Sequence, residues 1–223
     1  MNFVLDYWGI LVVALLLGGG AQLYIRSTYA RYSKVPVASG LSGAEVARRM
    51  LDSNGLQAVG ILQVGGKLTD NYDPRTRVLS LSQDVFQGRS VAAAGVASHE
   101  AGHAVQHALS YAPAGFRSAL VPVASLGSNM AWPLILAGIL LNFPLLITFG
   151  AAFFAIAVMF QVVTLPVEFD ASRRAVASLE GVLPSEQVAG ARSVLRAAAL
   201  TYVAAALVSV LYLLYYVSLG RRD

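Results

Sequence analysis

Apolar positions along this chain fall into four long runs that are separated by polar stretches. Each run is close to the length of about 20 residues that a helix needs to cross the hydrocarbon core of a bilayer. The runs cover residues 7–25, 118–141, 145–167 and 197–219. The second and third are separated only by Asn142, Phe143 and Pro144, so they must form a tight helical hairpin. The pattern predicts a mainly α, multi-pass membrane protein with about four transmembrane helices.

The polar stretch between the first two runs combines helix and strand patterns. Ser42 and Glu45 form a capping-box sequence, and apolar residues follow at helical spacing until Gly55. From 59 to 81 the apolar runs are short and are broken by GGK and TDNYDPRT, which predicts a few strands in one hairpin or a small sheet. Ser90 can then cap a helix that ends before Pro113. This stretch is expected to be a small α+β region.

Composition supports the membrane assignment and narrows the kinds of site that are possible. Charged residues make up 13% of the chain and the mean hydropathy is +0.63, whereas a soluble domain is usually about a quarter charged. Cysteine is absent, which excludes disulfides and thiolate metal sites. Any bound metal must therefore be held by nitrogen and oxygen atoms.

Basic residues are distributed unevenly between the two sides of the predicted membrane. Fourteen of the sixteen Lys and Arg residues lie in 26–117 and 168–196, which share one side because two spans separate them. The other side has only Arg221 and Arg222. Lys and Arg accumulate in cytoplasmic loops, so both polar segments are expected in the cytoplasm and both termini outside. Topology thus accounts for the net charge of +4, and no nucleic-acid partner is expected.

All three histidines of the chain fall in SHEAGHAVQH, residues 98–107. On a helix, His99 and His103 lie on one face about 6 Å apart, with Glu100 beside them. This is the H-E-x-x-H arrangement, in which two imidazoles bind zinc and the glutamate is the general base. Zinc lowers the pKa of its bound water towards about 7, and Glu100 is expected to take that water's proton during attack on a carbonyl. The window predicts one Zn²⁺ per chain.

A catalytic zinc usually has three protein ligands and one open position. His107 lies two helical turns from His99, roughly 12 Å along the axis, so one ion cannot easily reach both. The longer H-E-x-x-H-x-x-G-x-x-H pattern also fails, because Gln106 and Leu109 occupy its Gly and His positions. The third ligand is therefore expected to be an acid.

The acidic residues that the hairpin returns to this face are Glu168 and Asp170. Glu168 is predicted as the third ligand, because on a helix over 168–179 it shares its face with small residues that allow close packing against the metal helix: Ala171, Ser172 and Ala175. Asp170 points elsewhere, can pair with Arg174, and is expected to support the site, with a surface ion pair as the alternative. His107 could contact substrate or the transition state, or could be a plain hydrogen-bonded histidine.

These motifs together resemble the YugP-type membrane zinc metallopeptidases. SHEAGHAVQH is preceded by LTDNYDPRTRVLSLS and GRS and followed by LPVEFDASRRA, and the resemblance covers roughly residues 20–215. The chain is more distantly similar to the HtpX-like and CAAX prenyl membrane proteases, whose third ligand is the glutamate of E-F-x-A-D. Ser172 stands where that aspartate would be, which makes Asp170 the candidate substitute. The resemblance implies a zinc-dependent endopeptidase with His99, His103 and Glu168 as ligands and Glu100 as base.

The chain is thus divided into five segments with distinct expected roles. They are a retained N-terminal transmembrane anchor at 1–25, a zincin-like cytoplasmic catalytic region at the membrane surface at 26–117, a transmembrane hairpin at 118–167, a cytoplasmic helix with the third ligand at 168–196, and a C-terminal transmembrane helix and tail at 197–223. The expected partners are the lipid bilayer of the cell membrane and protein or peptide substrates, above all extended segments of membrane proteins. We expect such a segment to pair with an exposed strand at 78–81. The sequence does not determine the oligomeric state.

Two other functions compete with a surface protease. Residues 91–109 are apolar enough for an intramembrane protease, although Arg89 and Arg117 bracket them. A non-enzymatic metal-binding scaffold or transport component is the second alternative. Transport would be supported by charged residues inside the membrane, but the four runs contain none, and charged residues occur only beyond their ends.

Overall fold

The computed structural model of the protein describes residues 7–221. Its elements in chain order are α1 (Tyr7–Tyr32), α2 (Gly43–Ser53), β1 (Gly60–Val64), β2 (Asn71–Asp73), β3 (Val78–Ser82), α3 (Gln83–Phe86), α4 (Val91–Ala108), α5 (Ala112–Leu140), α6 (Pro144–Leu179) and α7 (Ser185–Gly220). The first six residues of the predicted anchor and the last two of the predicted tail lie outside the described residues. The mainly helical class with one small sheet is confirmed.

Four helices within the described residues are long and apolar enough to cross a membrane: α1, α5, α6 and α7. They confirm the four predicted spans, but each is longer than its apolar run. α6 continues without a break from the third run through Glu168 to Leu179, so the predicted separate helix at 168–179 is the end of that helix. α5 and α6 are joined by residues 141–143, and Asn142 takes a positive φ of 50° there. Asparagine tolerates this conformation better than most residues, which suits the tight predicted turn.

The chain forms two compact units, of which the first contains most of the apolar helix length. It comprises the described parts of Met1–Gln22, Gly115–Pro166 and Leu200–Asp223. Glycines let α5 and α6 approach closely in this unit. A Cβ at Gly127 would lie 2.7 Å from the carbonyl oxygen of Phe153, and one at Gly150 would lie 2.6 Å from Ile135. Small residues serve the same purpose in many membrane helix pairs.

The second unit comprises Leu23–Ala114 and Val167–Ala199. Its local structure follows the predicted caps. The Ser42 hydroxyl accepts a hydrogen bond from the backbone N–H of Glu45 at 3.3 Å, and the Glu45 carboxylate accepts one from the N–H of Ser42 at 2.6 Å. Ser90 caps α4 through a bond from the N–H of Ala93 at 3.2 Å. α2 and α4 then pack together with the inner face of the sheet around a core that includes Leu51, Leu79, Leu81, Val85, Ala97 and Ala101.

The sheet has the order β1–β3–β2, so the expected exposed strand at 78–81 is wrong. β3 pairs with β1 in parallel along its whole length and with β2 in antiparallel over Val78–Ser80. The Asp70 carboxylate accepts the next available backbone N–H, that of Ser82, at 2.7 Å. Leu79 and Leu81 are both fully buried. β3 is therefore the centre of the sheet, and the unpaired edges belong to β1 and β2.

Candidate metal centre

Two helices of the second unit bring the predicted ligands together. His99 and His103 lie one turn apart on α4, with their rings edge to face and the ring centroids 4.8 Å apart. Glu168 near the end of α6 faces them, and its Oε2 lies 3.2 Å from Nε2 of His99 and 3.7 Å from Nε2 of His103. Ligand atoms of all three residues lie within 4.8 Å of one another. The three residues therefore form one cluster.

Close approach of α4 and α6 produces this cluster. A Cβ at Gly102 would lie 2.7 Å from the carbonyl oxygen of Ala171, and Ala171 is fully buried. This contact is next to His103 on one helix and three residues after Glu168 on the other. The predicted stripe of small residues on α6 therefore lies against the metal helix, as expected.

The donor set suits zinc. Two imidazole nitrogens and a carboxylate oxygen bind Zn²⁺ at about 2.1 Å, which places neighbouring donors of a tetrahedron about 3.4 Å apart. The 3.2 and 3.7 Å separations from Glu168 bracket that value. The side chain of Glu168 is 4% exposed, whereas those of His99 and His103 are 14% and 18% exposed. The carboxylate is thus buried while the histidine side retains access to water, as a catalytic site requires.

The electrostatic environment of the cluster favours positive charge. Burial on its own lowers the pKa of His103, but its interaction with the Glu168 carboxylate and the nearby charge of Glu100 outweigh burial and raise the pKa above its ordinary value. A proton and a divalent cation are attracted by the same carboxylates. The surroundings of His103 therefore also favour a metal cation.

Glu100 lies beside the cluster on the same helix. It follows His99 in α4, is partly exposed, and is close enough for its charge to affect His103. Within residues 7–221 its carboxylate makes no hydrogen bond or ion pair. The carboxylate of the predicted general base is consequently uncommitted, that is, not engaged by another described side chain or backbone group.

A serine side chain contacts the second ring nitrogen of His99, the one that does not face Glu168. The Ser172 hydroxyl lies 3.1 Å from Nδ1 of His99, one helical turn after Glu168 on α6. The sequence reasoning treated Ser172 as a departure from the aspartate of related proteases. In the structure this serine contacts a predicted ligand directly.

His103 is held by Gln106, a residue that sequence reasoning considered only as a mismatch to a longer motif. Oε1 of Gln106 lies 3.0 Å from Nδ1 of His103, and its amide nitrogen donates to Asp170 at 2.9 Å. The sequence feature that could have identified Gln106 is a polar residue one turn after His103 on the same helix.

Asp170 contacts neither histidine. Within the described residues its partners are Gln106, Arg173 and the predicted Arg174, the last at 2.6 Å.

His107 lies apart from the cluster. Its Nδ1 is 3.0 Å from the hydroxyl of Tyr72, and the two rings are 5.9 Å apart. The hydrogen bond connects α4 to β2, one of the two unpaired edges of the sheet. His107 thus makes a side-chain hydrogen bond beside a sheet edge, and contact with substrate stays a prediction.

Comparison with known proteins agrees with this site. A family profile described as "Putative neutral zinc metallopeptidase" matches residues 7–221. The chain is 49% identical over 216 residues to "Putative membrane protease YugP" of Bacillus subtilis (strain 168), covering 95% of this chain and 96% of the relative. No solved structure matches. The resemblance that the motifs indicated is confirmed.

Proposed function

The chain belongs to the family described as "Putative neutral zinc metallopeptidase", and on this premise we propose that it is a zinc-dependent membrane endopeptidase. It hydrolyses peptide bonds in extended segments of proteins. The single observation that carries the proposal is the cluster of His99, His103 and Glu168 beside an uncommitted Glu100. The Bacillus subtilis relative is named as a membrane protease, which supports the same activity class.

The three residues of the cluster and Glu100 would have different roles in hydrolysis. His99, His103 and Glu168 would hold the metal, with one ion per chain. Zinc bound there supplies a Lewis acid that polarises the scissile carbonyl and lowers the pKa of water to about 7. Glu100 takes a proton from the attacking water as its oxygen bonds to the carbonyl carbon. It then delivers the proton to the amide nitrogen as the C–N bond breaks, which leaves a carboxylate and an amine.

Substrate binding is proposed at the unpaired edge of β2. This strand packs against α4, and Tyr72 bonds to His107 there. An extended peptide can add to such an edge through backbone hydrogen bonds that are largely indifferent to its side chains. The protein is then expected to cleave unfolded loops or termini of membrane proteins and to leave folded soluble domains intact, because these cannot present an extended strand.

The catalytic region is proposed to lie at the cytoplasmic surface of the cell membrane. Support comes from the concentration of Lys and Arg in 26–117 and 168–196. Arg222, one of the two basic residues on the opposite side, lies outside the described residues. Among the described helices, α4 with its HEAGH sequence is not a candidate span. This favours a surface protease over an intramembrane one.

Purified protein in detergent provides the test. Wild type should contain about one zinc per chain and cleave casein or an unfolded membrane-protein fragment, and zinc removal by a chelator should stop cleavage. Glu100→Gln should keep the zinc and lose at least about a hundredfold in rate, since a general base contributes 10²–10⁴-fold. Glu186→Gln, on an exposed turn of α7, is the matched control and should cleave normally. Zinc binding without cleavage by wild type would instead indicate the non-enzymatic scaffold.

A further inference from the structure

The side chain of Gln106 contacts the ring of one predicted ligand and the backbone beside another. It is fully buried on α4. Its carboxamide oxygen lies 3.0 Å from Nδ1 of His103, and its nitrogen donates to the carbonyl oxygen of Val167 at 2.8 Å and to Asp170 at 2.9 Å. Val167 directly precedes Glu168. One amide therefore joins the ring of one ligand to the backbone beside another.

The partners of Gln106 fix the orientation of its amide. The Val167 carbonyl can only accept a hydrogen bond, and Asp170 is held as a carboxylate by Arg173 and Arg174, so it too can only accept. The NH₂ group must face these two acceptors. A flipped amide would place its oxygen against both of them. The oxygen of Gln106 must consequently face His103.

The orientation of this amide determines where His103 carries its proton. Because Oε1 of Gln106 can only accept, Nδ1 of His103 must donate its N–H. A neutral imidazole carries one N–H, so its lone pair is on Nε2. Nε2 is the atom that faces Glu168, at 3.7 Å. The protein thus presents the correct nitrogen of His103 to a metal.

We propose that Gln106 is a positioning residue that fixes the tautomer and ring orientation of His103 for zinc, through a relay that runs from His103 by way of Gln106 to Asp170. The relay rests on the proposed zinc site. Asp170 in turn pairs with Arg174, whose guanidinium is also 6.0 Å from the centre of the Tyr111 ring. His99 has no equivalent, because the hydroxyl of Ser172 can either donate to Nδ1 or accept from it. His103 is the more rigidly prepared of the two histidine ligands.

The relay can be tested by zinc affinity, measured by competition with a chromogenic chelator on purified full-length protein. Gln106→Met keeps the side-chain volume and removes every hydrogen bond of the amide. Zinc affinity should fall 10- to 100-fold, the usual range for partners of metal ligands. Gln187→Met is the matched control. Gln187 bonds to the backbone of Pro36 and Ala38, and its loss should leave zinc affinity unchanged.

A second measurement separates a relay from a merely structural glutamine. The ¹⁵N chemical shifts of ¹⁵N-histidine-labelled, zinc-free protein at alkaline pH show which ring nitrogen of neutral His103 carries the proton. Wild type should carry it on Nδ1, and Gln106→Met, which has no acceptor oxygen opposite Nδ1, should lose this preference. Thermal unfolding with excess chelator checks that each variant folds.

The outcomes distinguish the relay from the function it rests on. Wild-type zinc affinity in a folded Gln106→Met protein, or a proton that stays on Nδ1 of His103 in that protein, would overturn the relay while leaving the zinc site in place. Absence of zinc binding by wild type would overturn the proposed function itself.

Discussion

Gly102 of α4 lies against Ala171 of α6 so closely that a Cβ on the glycine would come within 2.7 Å of the alanine carbonyl oxygen. The two helices can approach only because this position has no side chain. His103 and Glu168 face each other across the same contact. The identity of one glycine therefore controls the separation of two predicted ligands.

Gly102→Ala is expected to separate the helices and to weaken zinc binding. The added methyl group must displace backbone, which costs about 1–3 kcal/mol of folding free energy in typical overpacked cores. Zinc affinity and thermal unfolding measure the two effects. Gly115→Ala is the matched control, since a Cβ there meets no described atom within 4 Å, and it should not lower either quantity. A Gly102→Ala protein that binds zinc normally would show that the helix contact does not control the site.

Substitutions of the cluster residues test the ligand assignment itself. His99→Ala, His103→Ala and Glu168→Ala should each lose stoichiometric zinc, because a site with two protein ligands holds the ion poorly. His107→Ala should retain most of its zinc, since His107 bonds to Tyr72 outside the cluster. Metal analysis after dialysis gives the stoichiometry. Zinc loss in His107→Ala together with zinc retention in Glu168→Ala would contradict the assignment.

Proline substitutions test the proposed substrate strand. In an antiparallel pair, alternate residues point their N–H groups away from the partner strand, so a proline scan through Asn71–Asp73 removes at least one outward donor. At that position cleavage should fall at least tenfold while zinc content is unchanged. Gln63→Pro on β1, the other unpaired edge, is the control: Gly60 donates its N–H to Arg77, so the N–H of Gln63, three residues later, points away from β3, and the variant should keep activity. Full activity in every folded, zinc-loaded β2 variant would exclude binding along this strand.

Membrane orientation can be tested by labelling because the chain has no native cysteine. Lys67→Cys lies in the link between β1 and β2, and Phe143→Cys lies in the α5–α6 turn. A membrane-impermeant thiol reagent added to intact cells should label Phe143→Cys and should reach Lys67→Cys only after lysis. The reverse pattern would place the catalytic region outside the cell.

Sequence reasoning recovered the features that depend on local pattern. The four apolar runs are helices, Ser42 and Ser90 cap α2 and α4, and the H-E-x-x-H spacing places two imidazoles on one face. Glu168 was predicted from the topology, because the short turn between the second and third runs returns the chain to the side of the membrane where His99 and His103 lie. Each of these inferences needs only nearest neighbours or chain connectivity.

Features that depend on distant partners were not recovered. Alternation at Leu79 and Leu81 indicates which face of β3 is buried, but it does not show that β1 would lie parallel on one side and β2 on the other. Likewise, Gln106 and Ser172 bond to groups 61 to 73 residues away. Helical periodicity places such side chains on a face without identifying the atoms opposite them.

α6 continues through Pro166, two residues before Glu168. Proline has no N–H, so the carbonyl oxygen of Val162 lacks the hydrogen bond that an interior helix residue normally receives from four positions later. The turn of α6 immediately before the predicted ligand therefore has one hydrogen bond fewer than an ordinary helical turn, and we expect its backbone to open more readily than the turns around it.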